Sequence, residues 1–135
     1  MRIAHISDVH IRKTRRHKEY AEVLDNLCNS IESLGVDRIA LPGDLLHNKT
    51  DLSPEAVTLT SLYLDRLSDI APIDMILGNH DCVINQHERE DSLSPVVRML
   101  RKQNKPINLF LESGMYDVTE DLTYGVFAQQ DTEHQ

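Results

Sequence analysis

The chain has 135 residues, of which 40% are hydrophobic and 27% charged, so it is the size of one domain with enough apolar side chains for a core. A net charge of −8 and an aromatic content of 4% exclude a uniformly basic nucleic-acid-coating protein and one that stacks bases on aromatic side chains. No apolar run reaches a membrane span of roughly 18 residues. Two cysteines, Cys28 and Cys82, do not make a disulfide framework, so we expect a cytoplasmic protein with no membrane association.

Apolar runs and helical periodicities alternate along the chain. In chain order they predict a strand at 2–7, a helix at 18–34, a strand at 37–42, a helix from 53 to about 68, a strand at 73–77, a helix from 94 to about 103, and strands at 107–111, 115–118 and 122–128. Gly35 is a natural stop for the first helix, and Ser53 before Pro54 is typical of a helix start. The pattern predicts a single α/β domain over residues 1–135 with a largely parallel sheet.

Polar clusters follow the first three predicted strands. They are Asp8-Val9-His10, Gly43-Asp44-Leu45-Leu46-His47 and Gly78-Asn79-His80-Asp81. Each cluster by itself is compatible with a surface turn. Ligands of parallel sheets bind at the carboxyl ends of the strands, so three such clusters at intervals of about one strand–helix unit predict one common site.

The residue types in these clusters are those that bind divalent cations. Carboxylates and imidazoles together suit Mn, Fe, Zn or Co better than Ca, which prefers oxygen ligands alone. Asp44 is able to bridge two ions, Asn79 offers a carbonyl oxygen, and Asp81 is a candidate for orienting the ring of His80. Cys82 adjoins the site, and we interpret it as a buried core residue.

Two charged segments flank the predicted site. Residues 1–18 carry six basic side chains against Asp8 alone, a local charge of +5 on an otherwise acidic chain. Five of the six follow His10, and they are Arg12, Lys13, Arg15, Arg16 and Lys18. We interpret these five as a basic rim of the site that contacts the phosphate backbone of a nucleic acid. The alternative is a solvated loop. The segment from His87 to Asp91 predicts a solvated loop beside the third cluster.

These motifs resemble the first three signature motifs of the calcineurin-like metallophosphoesterases. The chain is most similar to the SbcD-type nuclease branch, which includes phage recombination endonuclease subunits. The opening strand up to His10, the trailing His47 and the segment from Arg16 to Tyr20 carry this likeness, which extends from Met1 to about Asp81. The resemblance implies the N-terminal half of a β-sandwich flanked by helices.

The resemblance also implies a role for each site residue and a set of partners. Asp8 and His10 would bind one metal ion, Asp44 would bridge two and Asn79 would bind the second, with Mn the expected metal. His80 and His47 would face the scissile phosphate. Asp81 would not bind metal itself and would contact the residues that form the site. DNA would be the substrate, and an SMC-like ATPase subunit would be the partner. The resemblance also implies a homodimer of the full-length protein. The location would be the bacterial cytoplasm, or the cytoplasm of the host if the protein is phage-encoded.

The family has three further histidines, one after a later strand and two in a Gly-His-x-His element, and these have no counterpart in this sequence. No Gly-His-x-His element occurs in the sequence, so we expect the chain to be an N-terminal fragment of the catalytic domain, with little activity by itself. Two alternatives stay open. One is a phosphatase or small-molecule phosphodiesterase of the same superfamily, and the other is a truncated protein that binds a partner without catalysis.

Overall fold

The structure is a computed structural model that describes residues 1–12, 16–48, 51–83, 89–129 and 131. Its elements, in chain order, are β1 (Ile3–His5), α1 (His17–Leu34), β2 (Arg38–Leu41), α2 (Pro54–Ile70), β3 (Ile73–Ile76), α3 (Ser94–Lys102), β4 (Ile107–Phe110), β5 (Gly114–Thr119) and β6 (Leu122–Val126). Every predicted strand and helix is present, and most of the strands are shorter than predicted. None of the helices in the described part of the chain has the length and apolar character to cross a membrane.

The first four strands form one parallel sheet in the order β1-β2-β3-β4. Each crossover between neighbouring strands contains a helix, as parallel pairing requires. The order follows the chain, so the carboxyl ends of β1, β2 and β3 lie side by side at one edge of the sheet. The α/β fold predicted from the sequence is confirmed.

The helices cover one face of this sheet. Alternate strand residues such as Ile39 and Ile73 are fully buried and belong to one core cluster with Leu24 of α1 and Leu64 of α2. Local signals set the helix ends as predicted: Gly35 ends α1 with φ 59°, and the Ser53 side chain accepts a hydrogen bond from the Ala56 N–H at the start of α2. The packed helices hold the strand ends in place.

The opposite face of the sheet carries a polar pair and a cavity. Arg38 of β2 donates two hydrogen bonds to Asp74 of β3, at 2.6 and 2.8 Å, and Asn108 of β4 donates a third at 2.7 Å. The antiparallel hairpin of β5 and β6 lies beside this face and leaves a cavity of about 340 Å³, lined in part by Asp74 and Tyr124. None of the predicted site residues lines this cavity.

Candidate active site

The segments that follow β1 and β2 stay paired beyond the end of the sheet. The His10 N–H donates to the Asp44 carbonyl at 3.0 Å, and the Ile11 N–H donates to the Leu45 carbonyl at 2.9 Å. The His47 N–H returns a 3.0 Å hydrogen bond to the Ile11 carbonyl. These backbone bonds set the first polar cluster directly against the second.

A buried carboxylate joins the third segment to the second. Asp81 has no exposed surface, and its two oxygens accept hydrogen bonds from the backbone N–H groups of Asp44, Leu46 and Gly78 at 2.7, 2.9 and 2.9 Å. Burial raises the pKa of Asp81, and these backbone donors act in the opposite direction. A carboxylate is suited to this position because it offers several acceptor sites and no donor that would compete.

Two glycines let the second and third segments approach closely. A Cβ on Gly43 would lie 2.5 Å from the backbone nitrogen of Gly78, and Gly43 also has φ 105°. A Cβ on Gly78 would overlap the backbone and carboxylate of Asp44. The Gly-Asp and Gly-Asn-His-Asp motifs therefore begin with glycine for a steric reason.

Three polar residues of the site have left-handed backbone conformations. Asp8, His10 and Asp44 have φ of 56°, 51° and 54°, a region that non-glycine residues seldom occupy. Such conformations cost on the order of 1–3 kcal/mol each and persist where the surroundings hold them. Here the paired segments hold them, and Tyr20 of α1 adds a 2.8 Å hydrogen bond from its hydroxyl to the His10 carbonyl.

Asp8, His10 and Asp44 form one group that could hold a metal ion, with ligand atoms within 4.8 Å of one another. His10 Nε2 lies 3.6 Å from Asp8 Oδ1 and 4.0 Å from Asp44 Oδ2. Bonds of ~2.0–2.2 Å to a shared ion would place such atoms about 3–3.6 Å apart, so a slight contraction satisfies the ion. The expectation that the three strand-end segments converge is confirmed.

The Asn79 amide lies against the same carboxylate. The terminal amide atom of Asn79 that faces this carboxylate lies 3.3 Å from Asp44 Oδ1 and 3.1 Å from Asp44 Oδ2. An NH₂ group there donates to the carboxylate, whereas the amide oxygen in that place would share a cation with Asp44. The Asp44 carboxylate is also held by the His80 N–H, which donates to Oδ1 at 2.9 Å. This donor set fits a divalent cation.

His10 also belongs to a second group, which consists of three imidazoles. His10, His47 and His80 also have ligand atoms within 4.8 Å of one another, with ring centroids 4.9–5.6 Å apart. His80 Nδ1 is 2.9 Å from the His47 carbonyl oxygen, and because a carbonyl only accepts, the proton lies on Nδ1. The prediction that Asp81 orients the His80 ring is wrong, because the His47 carbonyl binds that ring and the described contacts of the Asp81 oxygens are with backbone N–H groups.

The surroundings of His47 disfavour the protonated form of its ring. Partial burial lowers its pKa, and the cationic Arg12 nearby and the two neighbouring imidazoles lower it further. The sequence placed His47 and His80 at the same site from their spacing. Their mutual contact depends on the tertiary structure.

The predicted basic rim is only partly described. Lys13 and Arg15 lie outside the described residues, and so do His87 and Glu88 of the second charged segment. Arg12 is exposed and lies near His47. Arg16 precedes α1 and pairs with Glu19 at 3.7 Å, while Lys18 lies in the first turn of α1.

The sequence pattern does not mark two functional residues of this region. Tyr20 occupies an apolar position of the first helical pattern, yet its hydroxyl supports His10. Asp91, expected in a solvated loop, is buried and accepts hydrogen bonds from the N–H groups of Leu93 and Ser94 at 2.8 and 2.7 Å. An Asp three residues before a Ser-Pro helix start was the available signal for the second of these.

The family model of calcineurin-like phosphoesterases matches residues 1–130, and the chain belongs to this family, whose members use divalent metals. It is 40% identical over 128 residues to uncharacterized protein R555 of Acanthamoeba polyphaga mimivirus, covering 92% of this chain and 9% of that protein. It is 37% identical over 89 residues to the SbcD subunit of the nuclease SbcCD of Bacillus subtilis (strain 168), covering 60% of this chain and 22% of that protein. The predicted likeness to the SbcD-type branch is confirmed, and the chain spans less than a quarter of either relative.

Proposed function

We propose that this chain is part of a metal-dependent hydrolase that cleaves phosphodiester bonds in DNA. The observation that carries the proposal is the meeting of the Asp8–His10–Asp44 group with His47 and His80 at one edge of the sheet. Membership in the phosphoesterase family and the likeness to a nuclease subunit support the same chemistry. The exposed Arg12 beside His47 offers a cation for the phosphate backbone.

We assign metal binding to four residues. Asp8 and His10 hold one ion, Asp44 bridges two ions, and Asn79 binds the second through its amide oxygen. Divalent ions in such sites polarise phosphoryl oxygens and lower the pKa of water. Mn²⁺ suits a mixed set of oxygen and imidazole ligands, and Fe, Zn and Co are the other candidates.

His80 and His47 act on the phosphate in this proposal. The Nδ1–H of His80 is bound by the His47 carbonyl, so its Nε2 is the nitrogen that faces the substrate. When protonated, Nε2 donates a hydrogen bond to the phosphate and passes its proton to the leaving oxygen. His47 and the five residues of the basic rim position the DNA.

We further propose that these residues are the N-terminal part of a longer catalytic domain. The chain covers a small share of both relatives, and four ligands incompletely coordinate two ions. The name of the Bacillus relative describes one subunit of a nuclease, which supports an assembly with a partner subunit. We propose that this partner is an SMC-like ATPase, that the full-length protein forms a homodimer, and that the assembly is cytoplasmic. We expect these 135 residues alone to bind Mn²⁺ but to hydrolyse little.

The test uses the protein encoded by the complete reading frame that contains these residues. With Mn²⁺ we expect cleavage of duplex or single-stranded DNA and of bis(p-nitrophenyl) phosphate, both abolished by Asp44→Ala and retained by the exposed control Asp121→Ala. Hydrolysis of p-nitrophenyl phosphate alone would identify a phosphatase instead. Absence of metal binding in the wild type would refute both assignments.

A further inference from the structure

The three imidazoles form a ligand set that differs from the carboxylate group beside it. His10, His47 and His80 come from the segments after β1, β2 and β3. The ring centroid of His10 lies 5.6 Å from that of His47 and 4.9 Å from that of His80, and the His47 and His80 centroids are 5.4 Å apart. One nitrogen of each lies within 4.8 Å of the others. No carboxylate of the described residues belongs to this set.

We propose that His10, His47 and His80 form a separate metal position that takes Zn²⁺ or a similar borderline ion and that inhibits the enzyme when it is filled. Three neutral imidazoles and one open position are a known tetrahedral arrangement for Zn²⁺. Mn²⁺ prefers oxygen ligands and is disfavoured here. The position is thus selective by ligand type.

The structure prepares His80 for this role. The bond between its Nδ1–H and the His47 carbonyl, 2.9 Å long, fixes the tautomer and leaves the lone pair of Nε2 free. Histidines that bind metals have such a partner on the other ring nitrogen. Because the carbonyl belongs to His47, the same contact also holds the second imidazole segment in place.

Inhibition follows from shared residues. His10 belongs to both ligand sets, so an ion on the three imidazoles competes for His10 with an ion on the carboxylates. It also occupies the Nε2 that the proposed function assigns to the phosphate. The inhibitory effect therefore rests on the proposed function, whereas the binding of the ion does not.

The experiment measures metal binding in a background with a weakened carboxylate set, where Zn²⁺ has fewer alternatives. Asp8→Asn is combined with His47→Ala, with His80→Ala, or with the control His5→Ala, which removes an exposed imidazole of β1 outside the set. Zn²⁺ affinity is measured by competition with a chromophoric chelator. Co²⁺ absorption reports the coordination number, and circular dichroism verifies folding.

We expect Asp8→Asn and its His5→Ala derivative to bind Zn²⁺ equally and to give the intense visible absorption of four-coordinate Co²⁺. The His47→Ala and His80→Ala derivatives should each lose at least about tenfold in Zn²⁺ affinity, because a metal ligand contributes no less than the groups that orient it. Equal affinity and an unchanged Co²⁺ spectrum in these two folded derivatives would overturn the proposal. The assay involves no turnover, so its outcome is independent of whether the protein cleaves DNA.

Discussion

Replacement of Asp81 by Asn tests how the site is assembled. The carboxylate accepts backbone hydrogen bonds from Asp44 and Gly78 on Oδ2 and from Leu46 on Oδ1. An Asn side chain of the same shape has one oxygen and one NH₂ group. With its oxygen in the Oδ2 position it keeps two bonds and sets its NH₂ group against the Leu46 N–H.

The expected cost follows from these contacts. Loss of one hydrogen bond to a charged acceptor costs about 1.5–3 kcal/mol. The substitution also removes a buried negative charge, whose desolvation raises the pKa of Asp81, and this gain offsets part of the cost of the lost hydrogen bond. Asp81→Asn should therefore lower the free energy of unfolding by about 1–2 kcal/mol. Asp81→Ala leaves all three donors without this acceptor and should cost at least about 3 kcal/mol.

The assay is urea unfolding, followed by circular dichroism, together with Mn²⁺ titration of the folded variants. Because Asp81 positions the segment that carries Asp44, Mn²⁺ affinity should fall by about 10–100-fold in Asp81→Asn. Asp121→Asn, in the exposed turn between β5 and β6, is the matched control and should change neither quantity. Wild-type stability and Mn²⁺ affinity in Asp81→Asn would refute the argument that this carboxylate joins the segments.

Further substitutions test individual contacts. Gly78→Ala should destabilise the fold and lower Mn²⁺ affinity, because its Cβ would overlap Asp44; unchanged thermal unfolding and titration curves would contradict this. In the complete protein, His80→Ala should keep Mn²⁺ affinity and lose roughly 10²–10⁴-fold in turnover. Asp44→Ala should lose both Mn²⁺ affinity and turnover. An equal loss of Mn²⁺ affinity in the two variants would make His80 a metal ligand. Ser53→Ala should lower the free energy of unfolding by about 1 kcal/mol through loss of the cap on the Ala56 N–H, and an unchanged urea midpoint would show that this bond contributes nothing.

The sequence alone determined the alternation of elements and the residues that face the site. Apolar periodicity is a local property, and it predicted every strand and helix of the structure with small errors at the ends. The position of Asp8, Asp44 and Asn79 directly after apolar strands predicted their convergence, because parallel strands in sequential order place their carboxyl ends at one edge.

Only the tertiary structure decided how these residues are held. Asp81 was expected to orient the ring of His80, and instead it joins two segments through three backbone donors, while the carbonyl of His47 holds that ring. Backbone N–H and carbonyl groups are present at nearly every residue, so the sequence carries no mark of which ones a distant side chain will meet. The support of His10 by Tyr20 has the same origin: a hydroxyl on a helix finds a carbonyl ten residues away only after the helix has packed on the sheet.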